Sequence, residues 1–151
     1  MGRVKTSYPR IQHLLVPLDF SGKSRQALRY AVPIAQKFFA KITLIHVVQP
    51  DQHANARADL LVADRIRQKD VSLKRLEELA TQLVPRGRRG GNLVRFGRPA
   101  DAILDAINTL AVDLVVMTTH ARTGLNRFFM GSTAERVMRH ASCPVLSIRR
   151  H

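Results

Sequence analysis

Two short segments of this sequence carry residue types that bind phosphates and sugars. Gly131-Ser132-Thr133 comes directly before a segment with helical periodicity, and its glycine lets an anion approach the amides at a helix start. Asp19 follows an apolar segment, and its carboxylate could accept hydrogen bonds from ribose hydroxyls. An Asx turn that leads into the next helix is the simpler role for Asp19. These residues are therefore candidates for an anion site and a ribose site.

The helix start after Gly131 has the form of a capping box. In that motif Ser132 accepts a hydrogen bond from the amide of Glu135, and the Glu135 side chain reaches back to the start of the helix. A capping box by itself is a structural feature. Gly131 before it, and the positive charges of Arg122 and Arg127 nearby, favour an additional role in holding an anion.

Apolar segments alternate with helical segments along the chain. We predict strands at 11–16, 41–48, 92–96, 113–117 and 144–149. We predict helices at 22–39 with Ser21 as the cap, at 55–83, from Pro99 onward, and at 132–140, with a turn at 85–91. Pro33 is expected to kink the first helix. This alternation predicts an α/β fold, with an open parallel sheet and helices on both faces.

Periodicity also predicts which helix residues face the core. For the first three helices these are Ala27, Leu28, Ala31, Ile34, Ala35 and Phe38, then Ile66, Leu73, Leu76, Leu79 and Leu83, then Ile103, Leu104, Ile107 and Leu110. Ligands of such sheets collect outside the carboxyl ends of the strands, where the chain order reverses. The loops that follow the first and fourth strands, which contain the candidate residues, are therefore expected to adjoin one another.

Composition narrows the class of protein. The chain has 151 residues, of which 45% are hydrophobic and 24% charged, which predicts one soluble domain without a membrane segment or signal peptide. A single cysteine, Cys143, indicates a reducing, cytoplasmic location and is expected to be a small packed residue. The formal charge of +14 favours polyanionic partners, although the basic residues are spread along the chain. No His or Cys pair has the spacing of a metal site.

Four segments together resemble the universal stress proteins from end to end: HLLVPLDFSGKSRQALRYA, KITLIHVV, FGRPADAIL and DLVVMTTHARTGLNRFFMGSTAERVMRHASCPVLSIRR. The resemblance implies a doubly wound five-stranded sheet of order 3-2-1-4-5, similar to the adenine-nucleotide α-hydrolases. It also implies a cytoplasmic homodimer joined through the last strand, 144–149, an exposed edge that pairing would cover. We expect a basic N-terminal extension at 1–10 and one domain at 11–151.

The ATP-binding branch of that family has a loop of the form G-x-x-G, nine residues, then G-[S/T]. In this chain the four positions are Thr118, Ala121, Gly131 and Ser132, so the helix-end half matches and the strand-end half does not. A β-branched residue disfavours positive φ, so Thr118 would be strained if the loop required it. The resemblance, together with the anion pattern above, predicts these nucleotide-contacting residues: Pro17, Asp19, Val47, Met117, Thr118, Ala121, Arg122, Arg127, Gly131, Ser132 and Thr133. His120 matches the family's usual histidine, and a packing role is expected for it and for a buried His46.

Three functions compete at this point. The first is a stress protein that binds ATP, with or without Mg²⁺, and acts as a dimeric regulator. The second is a dimeric protein-interaction module that has lost ATP binding, which the altered positions Thr118 and Ala121 favour. The third is non-specific nucleic-acid binding, which the charge and the basic run at 86–91 favour but the lack of stacking aromatics opposes. No catalytic constellation is recognised, so we expect at most slow ATP hydrolysis.

Overall fold

The computed structural model describes residues 10–50, 58–119 and 131–149, with the side chains of 58–60 excepted. The described strands are β1 (His13–Pro17), β2 (Lys41–Val48), β3 (Arg89–Phe96), β4 (Leu114–Thr118) and β5 (Val145–Ile148). The described α-helices are α1 (Gly22–Phe38), α2 (Ala58–Leu83), α3 (Pro99–Thr109) and α4 (Ser132–His140), and a 3-10 helix covers Arg86–Arg88. Strands and helices alternate as predicted; positions 55–57, where the second helix was expected to begin, lie outside the described residues.

The five strands form one parallel sheet in the order β3-β2-β1-β4-β5. The predicted topology is therefore confirmed. β1 lies at the centre, where Val16 pairs with Leu44 of β2 and Leu15 pairs with Val115 of β4. The chain order reverses at β1, so the connections on its two sides run in opposite directions across the sheet.

Side chains along each central strand alternate between two buried layers. Leu14 and Val16 pack with α1 and α2, whereas Leu15 between them packs with α3 and α4. All three are fully buried, as the strands of a parallel sheet covered on both faces require. Cys143 is half-buried against the second layer, as expected for a small packed residue. Burial, and then the charge of Asp113, raise the pKa of the Cys143 thiol.

Three residues predicted to face the core are instead exposed. Phe38 at the end of α1 is 50% exposed, and Ile66 and Leu83 of α2 are 58% and 43% exposed. For α2 the reason is length, because 26 residues of helix span about 39 Å while an eight-residue strand spans about 26 Å. A helix longer than the strands that it covers cannot bury its whole apolar stripe against them. In the part of the chain that the structure describes, no helix is both long and apolar enough to cross a bilayer.

Helix α1 begins as predicted and continues through Pro33 to Phe38. The hydroxyl of Ser21 accepts a hydrogen bond of 3.0 Å from the amide of Ser24, which makes Ser21 the N-cap. Phe39 ends the helix in the left-handed conformation, with φ 58° and ψ 26°. The sequence predicted the cap because Ser is a preferred cap residue, but no pattern indicated a left-handed phenylalanine.

The predicted turn at 85–91 is wrong in its second half. β3 begins at Arg89 rather than at Asn92, so Gly90 and Gly91 belong to the strand. The ladder between β2 and β3 shifts register between Ile42 and Thr43, opposite these glycines. A Cβ on Gly90 would lie 3.1 Å from the carbonyl carbon and oxygen of Ile42. Glycine is thus present because the neighbouring backbone is close, and not because the chain turns there.

We expect Gly90→Ala to lower the free energy of unfolding by about 1–3 kcal/mol, because backbone atoms on β2 must shift to admit the methyl group. Gly87→Ala is the matched control, since no atom lies within 4 Å of its Cβ position. The control should stay within about 0.5 kcal/mol of the parent protein. Urea unfolding followed by circular dichroism measures both, and equal values for the two variants would refute the packing explanation.

Candidate functional site

A cleft of about 510 Å³ opens at the carboxyl ends of β1, β2 and β4. Its lining includes residues from six elements, β1, α1, β2, α3, β4 and α4, which are brought together by the reversal of chain order at β1. The candidate residues that line it are Pro17, Asp19, Val47, Met117, Thr118, Gly131, Ser132 and Thr133. Ala121, Arg122 and Arg127, and also His120, lie outside the described residues.

The inner wall of the cleft is apolar and its mouth is polar. Ile45, Ile103 and Met117 are buried residues of the second core layer that also border the cleft. Gln49, Ser132 and other polar groups lie among the remaining lining residues. The apolar wall suits a flat apolar group of a ligand, and the polar mouth suits the polar part of the same ligand.

Asp19 occupies the turn between β1 and α1. Its carboxylate oxygen Oδ1 accepts a hydrogen bond of 2.9 Å from the amide of Ser21, which is the Asx turn expected as its simpler role. The side chain is exposed and borders the cleft. Asp19 is therefore held in place by its own backbone while it faces the cleft.

A cluster of side chains behind Asp19 holds this turn in position. Phe20 is in the left-handed region at φ 63°, and its ring packs 4.2 Å from the ring of His46. The guanidinium carbon of Arg75, on α2, lies 4.5 Å from the centroid of the same Phe20 ring. His46 Nδ1 donates a hydrogen bond of 2.7 Å to the carbonyl of Leu18, since a carbonyl can only accept. These contacts fix the backbone on both sides of Asp19.

His46 is half-buried at the cleft rather than fully buried in its strand. Sequence reasoning missed its role as a support for the turn, and it missed Phe20 and Arg75 altogether. Arg75 lies more than fifty residues after Phe20 in the sequence. No local spacing could have indicated that pair, because the contact exists only when α2 packs onto the sheet.

The predicted capping box at the start of α4 is wrong. Gly131 is the N-cap, with extended backbone (φ −61°, ψ 144°), and the helix has no side-chain cap. The amide of Glu135 donates to the carbonyl of Gly131 at 3.0 Å, not to the Ser132 hydroxyl. The Glu135 carboxylate pairs with Arg139 one turn later, at 2.8 Å. Ser132 lies inside the first turn, where its hydroxyl cannot serve as the cap.

The absence of a side-chain cap on this helix has a consequence for the cleft. Gly131, Ser132, Thr133 and Ala134 all line the cleft, so the first turn of α4 borders it. The first amides of a helix have no acceptor within the helix, and they carry the positive end of its dipole. The first turn of α4 therefore gives one side of the cleft a positive potential.

Thr118 is the last residue of β4 and pairs with Ile148 of β5. Among the non-glycine residues that the structure describes, positive φ occurs at Phe20, Phe39 and Ala111, and not at Thr118. The strain considered for a threonine at this position is therefore not present. Its half-buried side chain lines the cleft beside Met117. A glycine at 118 would instead leave that part of the cleft wider.

Metal binding finds no support in the described part of the chain. Within 10–50, 58–119 and 131–149, no three His, Cys, Asp or Glu side chains lie close enough to hold an ion. The ionisable residues among the described cleft lining are Asp19 and His46. Both also hold the turn between β1 and α1, as described above.

Residues 10–149 match the sequence profile of the universal stress protein family. A universal stress protein of Methanocaldococcus jannaschii is 30% identical over 141 residues, which cover 91% of this chain and 81% of the relative. The solved structure of the universal stress protein UspA from Lactobacillus plantarum is 30% identical, with a TM-score of 0.70. That match covers 93% of this chain and 99% of the other.

Two more distant structures of the same fold contain nucleotides. One is a universal stress protein in complex with cAMP, 20% identical with a TM-score of 0.65, covering 94% of this chain and 99% of that one. The other is a family protein of Arabidopsis thaliana with AMP bound, 19% identical with a TM-score of 0.61, covering 93% and 92%. At these identities the similarity shows a shared fold.

The different starts of α1 and α4 lead to a paired prediction. Ser21→Ala removes the hydroxyl that caps α1 and should lower the free energy of unfolding by about 1 kcal/mol. Ser132→Ala makes the same chemical change in α4, where the serine caps nothing, and should stay within about 0.5 kcal/mol. Chemical unfolding of both variants measures the difference. If Ser132→Ala lowers the free energy of unfolding as much as Ser21→Ala does, Ser132 is a helix cap after all and the predicted capping box is correct.

Proposed function

Because the chain belongs to the universal stress protein family, we propose that its cleft binds an adenine nucleotide, with ATP as the principal ligand, with or without Mg²⁺. The observation that carries the proposal is a shared lining: the Asp19 turn and the first turn of α4 border the same cleft. One supplies acceptors for ribose hydroxyls, and the other supplies amide donors for phosphate oxygens.

The proposed roles follow from the chemistry of each part of the cleft. Val47, Met117 and Pro17 form apolar surface against which an adenine ring packs. Asp19 accepts hydrogen bonds from the ribose, and the amides from Gly131 to Thr133 bind the phosphates. Arg122 and Arg127, outside the described residues, are proposed to add positive charge. The cAMP and AMP held by the two fold neighbours contain the same three parts: adenine, ribose and phosphate.

We infer a binding function rather than rapid hydrolysis. Phosphoryl transfer requires a group that orients the attacking water together with cations placed around the transferred phosphate. Of the ionisable residues of the described lining, Asp19 is proposed to hold the ribose, and His46 Nδ1 donates to the carbonyl of Leu18, so neither is assigned to the attacking water. Slow turnover is compatible with this arrangement, and a long-lived bound state suits a regulator.

A dimer through β5 is the second part of the proposal. β5 is an edge strand of the described sheet; the carbonyl of Pro144, just before it, accepts from the amide of Val115 on β4, and the carbonyl of Ile148 accepts from the amide of Thr119, just after β4. Alternation along a parallel strand then directs the backbone groups of Val145 and Ser147 outward. Because α4 begins at the cleft and leads directly to β5, a nucleotide that contacts α4 can favour or disfavour the pairing of two subunits through β5.

An interaction protein without nucleotide is the alternative function. Thr118 favours it, because a threonine side chain borders the cleft where the ATP-binding branch has a glycine. Ala121, the second altered position, lies outside the described residues. In this alternative the cleft binds no nucleotide and the dimer alone carries the function.

Thermal unfolding with and without Mg-ATP separates the two functions. ATP at one hundred times its Kd should stabilise the fold by about 2.7 kcal/mol, which raises Tm by about 5–10 °C for a chain of this size. Asp19→Asn keeps an oxygen for the Ser21 amide but removes the negative charge, and should weaken ATP binding about tenfold or more. Asp105→Asn, at an exposed position of α3 outside the cleft, is the matched control and should bind as the parent does. No shift in Tm at millimolar Mg-ATP would favour the interaction protein.

The dimer has its own test at the edge strand. Ser147→Pro removes an outward-directed N–H from β5 and should shift the dimer toward monomer in sedimentation velocity. Ser147→Ala removes the hydroxyl but keeps the N–H, so it should remain dimeric. Circular dichroism of both variants checks that the sheet is intact. A proline variant that is folded and still dimeric would show that the subunits do not meet through β5.

A further inference from the structure

A second surface with the chemistry of a binding site lies at the opposite end of the sheet from the cleft. Lys41 begins β2, and the 3-10 helix Arg86–Arg88 directly precedes β3, so both belong to the amino ends of the strands. The end of α1 reaches the same place and contacts that 3-10 helix. The name basal patch is used for six residues: Lys37, Phe38, Phe39, Lys41, Arg86 and Arg88.

Phe39 is the least expected residue of the basal patch. It ends α1 in the left-handed conformation, where the amide of Ala40 donates to the carbonyl of Ala35 at 2.9 Å, as in a Schellman motif. That position usually holds glycine, because a side chain is disfavoured at positive φ. The Phe39 side chain is nevertheless 77% exposed, so burial compensates little of this strain. Folding alone does not account for a phenylalanine here.

Contacts within the basal patch join its two parts. The guanidinium carbon of Arg88 lies 5.2 Å from the centroid of the Phe39 ring, which places a cation on one side of that ring. Lys41 Nζ donates a hydrogen bond of 3.1 Å to the carbonyl of Gly87. The basic run that follows α2 is thereby held beside an exposed aromatic ring. Phe38, half exposed, precedes Phe39 in the chain.

No carboxylate belongs to either segment that forms the basal patch. The sequence has no acidic residue between Asp19 and Asp51, and none between Glu78 and Asp101. Asp113, at the amino end of β4, lies at the same end of the sheet, and its carboxylate accepts from the amides of Gln12 and His13. Arg89 is directed away from the patch, because it donates to the carbonyls of Thr81 and Val84. The patch is therefore cationic without internal neutralisation.

We propose that the basal patch binds single-stranded nucleic acid. Exposed bases of a single strand stack on aromatic rings such as Phe39, while lysines and arginines beside the ring bind the phosphates. A duplex is a poorer partner, because its bases are already stacked on one another. The objection from the sequence, that stacking aromatics are lacking, no longer applies: the fold brings Phe39 from the end of α1 to the basic run.

Fluorescence anisotropy with a short labelled oligouridylate, at near-physiological salt, tests the aromatic part. Phe39→Gly should weaken binding roughly 5- to 100-fold, because it removes a stacking surface. The same variant should be at least as stable as the parent, since glycine relieves the left-handed strain. Phe39→Trp should retain binding, and Tyr30→Ala, which removes an exposed aromatic elsewhere on α1, should not change it. Unchanged affinity in Phe39→Gly would overturn the proposal.

A charge-matched pair tests the cationic part. The double variant Arg86→Ala/Arg88→Ala should bind with a weaker salt dependence. In a plot of the logarithm of the binding constant against the logarithm of the salt concentration, the slope should become shallower by about 0.7 for each cation removed, the value for single strands. Arg25→Ala with Arg29→Ala removes the same charge from exposed positions in the first half of α1, and should change affinity less. Equal losses in both double variants would reduce the effect to the overall charge of the protein and overturn the site. Equal affinity for a duplex of the same length would also overturn the proposal. So would a parent protein that does not bind the oligouridylate, which is the result expected if the patch binds an acidic protein instead.

The two sites are tested independently. Phe39→Gly should leave the Mg-ATP shift in Tm unchanged, because the cleft lies at the other end of the strands. Asp19→Asn should leave oligouridylate binding unchanged for the same reason. Failure of one proposal therefore does not decide the other.

Discussion

The position of β1 between β2 and β4 is the constraint from which the candidate site follows. The helix that follows β1, α1, packs on one face of the sheet. The helix that follows the neighbouring strand β4, α4, packs on the opposite face. The two connections diverge, and a crevice remains between them. The Asp19 turn and the first turn of α4 border that crevice because of this topology, although more than one hundred residues separate them.

The crevice is useful only if its edges hold their shape. The turn after β1 is held by an Asx hydrogen bond in front and by Phe20, His46 and Arg75 behind. A left-handed phenylalanine is costly by itself, and it persists here because its ring packs against the His46 ring and the Arg75 guanidinium. On the other side α4 has no side-chain cap, so its first amides border the crevice without a competing serine or aspartate. A supported turn on one side thus faces, on the other, helix amides that have no acceptor within their own helix.

The two ends of the sheet differ in chemistry. The carboxyl ends of the strands form a cleft with an apolar wall and a polar mouth, which suits a small amphiphilic ligand. The amino ends form a cationic surface with an exposed aromatic ring, which suits an extended polyanion. The basic residues that give the formal charge of +14 are spread over the chain. Two segments, however, contain basic residues and no acidic ones: Phe20 to Pro50 and Leu79 to Ala100. The packing of these segments against each other concentrates positive charge that the sequence alone shows only as an average.

The sequence by itself determined the order of strands and helices, the burial of the central strands and the cap at Ser21, because periodicity and local hydrogen bonding act over a few residues. It misplaced the start of β3, because the backbone that approaches Gly90 belongs to Ile42 on another strand. It misplaced the cap of α4, because Glu135 pairs with Arg139 and not with the start of the helix. It also predicted that Phe38, Ile66 and Leu83 face inward, because periodicity does not show how much of each helix the sheet covers.

Only the tertiary structure decided that Phe20 meets Arg75 and that Phe39 meets Arg88. These contacts join residues about fifty positions apart in the sequence, and their geometry is set by how whole helices pack on the sheet. A local pattern cannot indicate such pairs, because their two members belong to different elements of the fold.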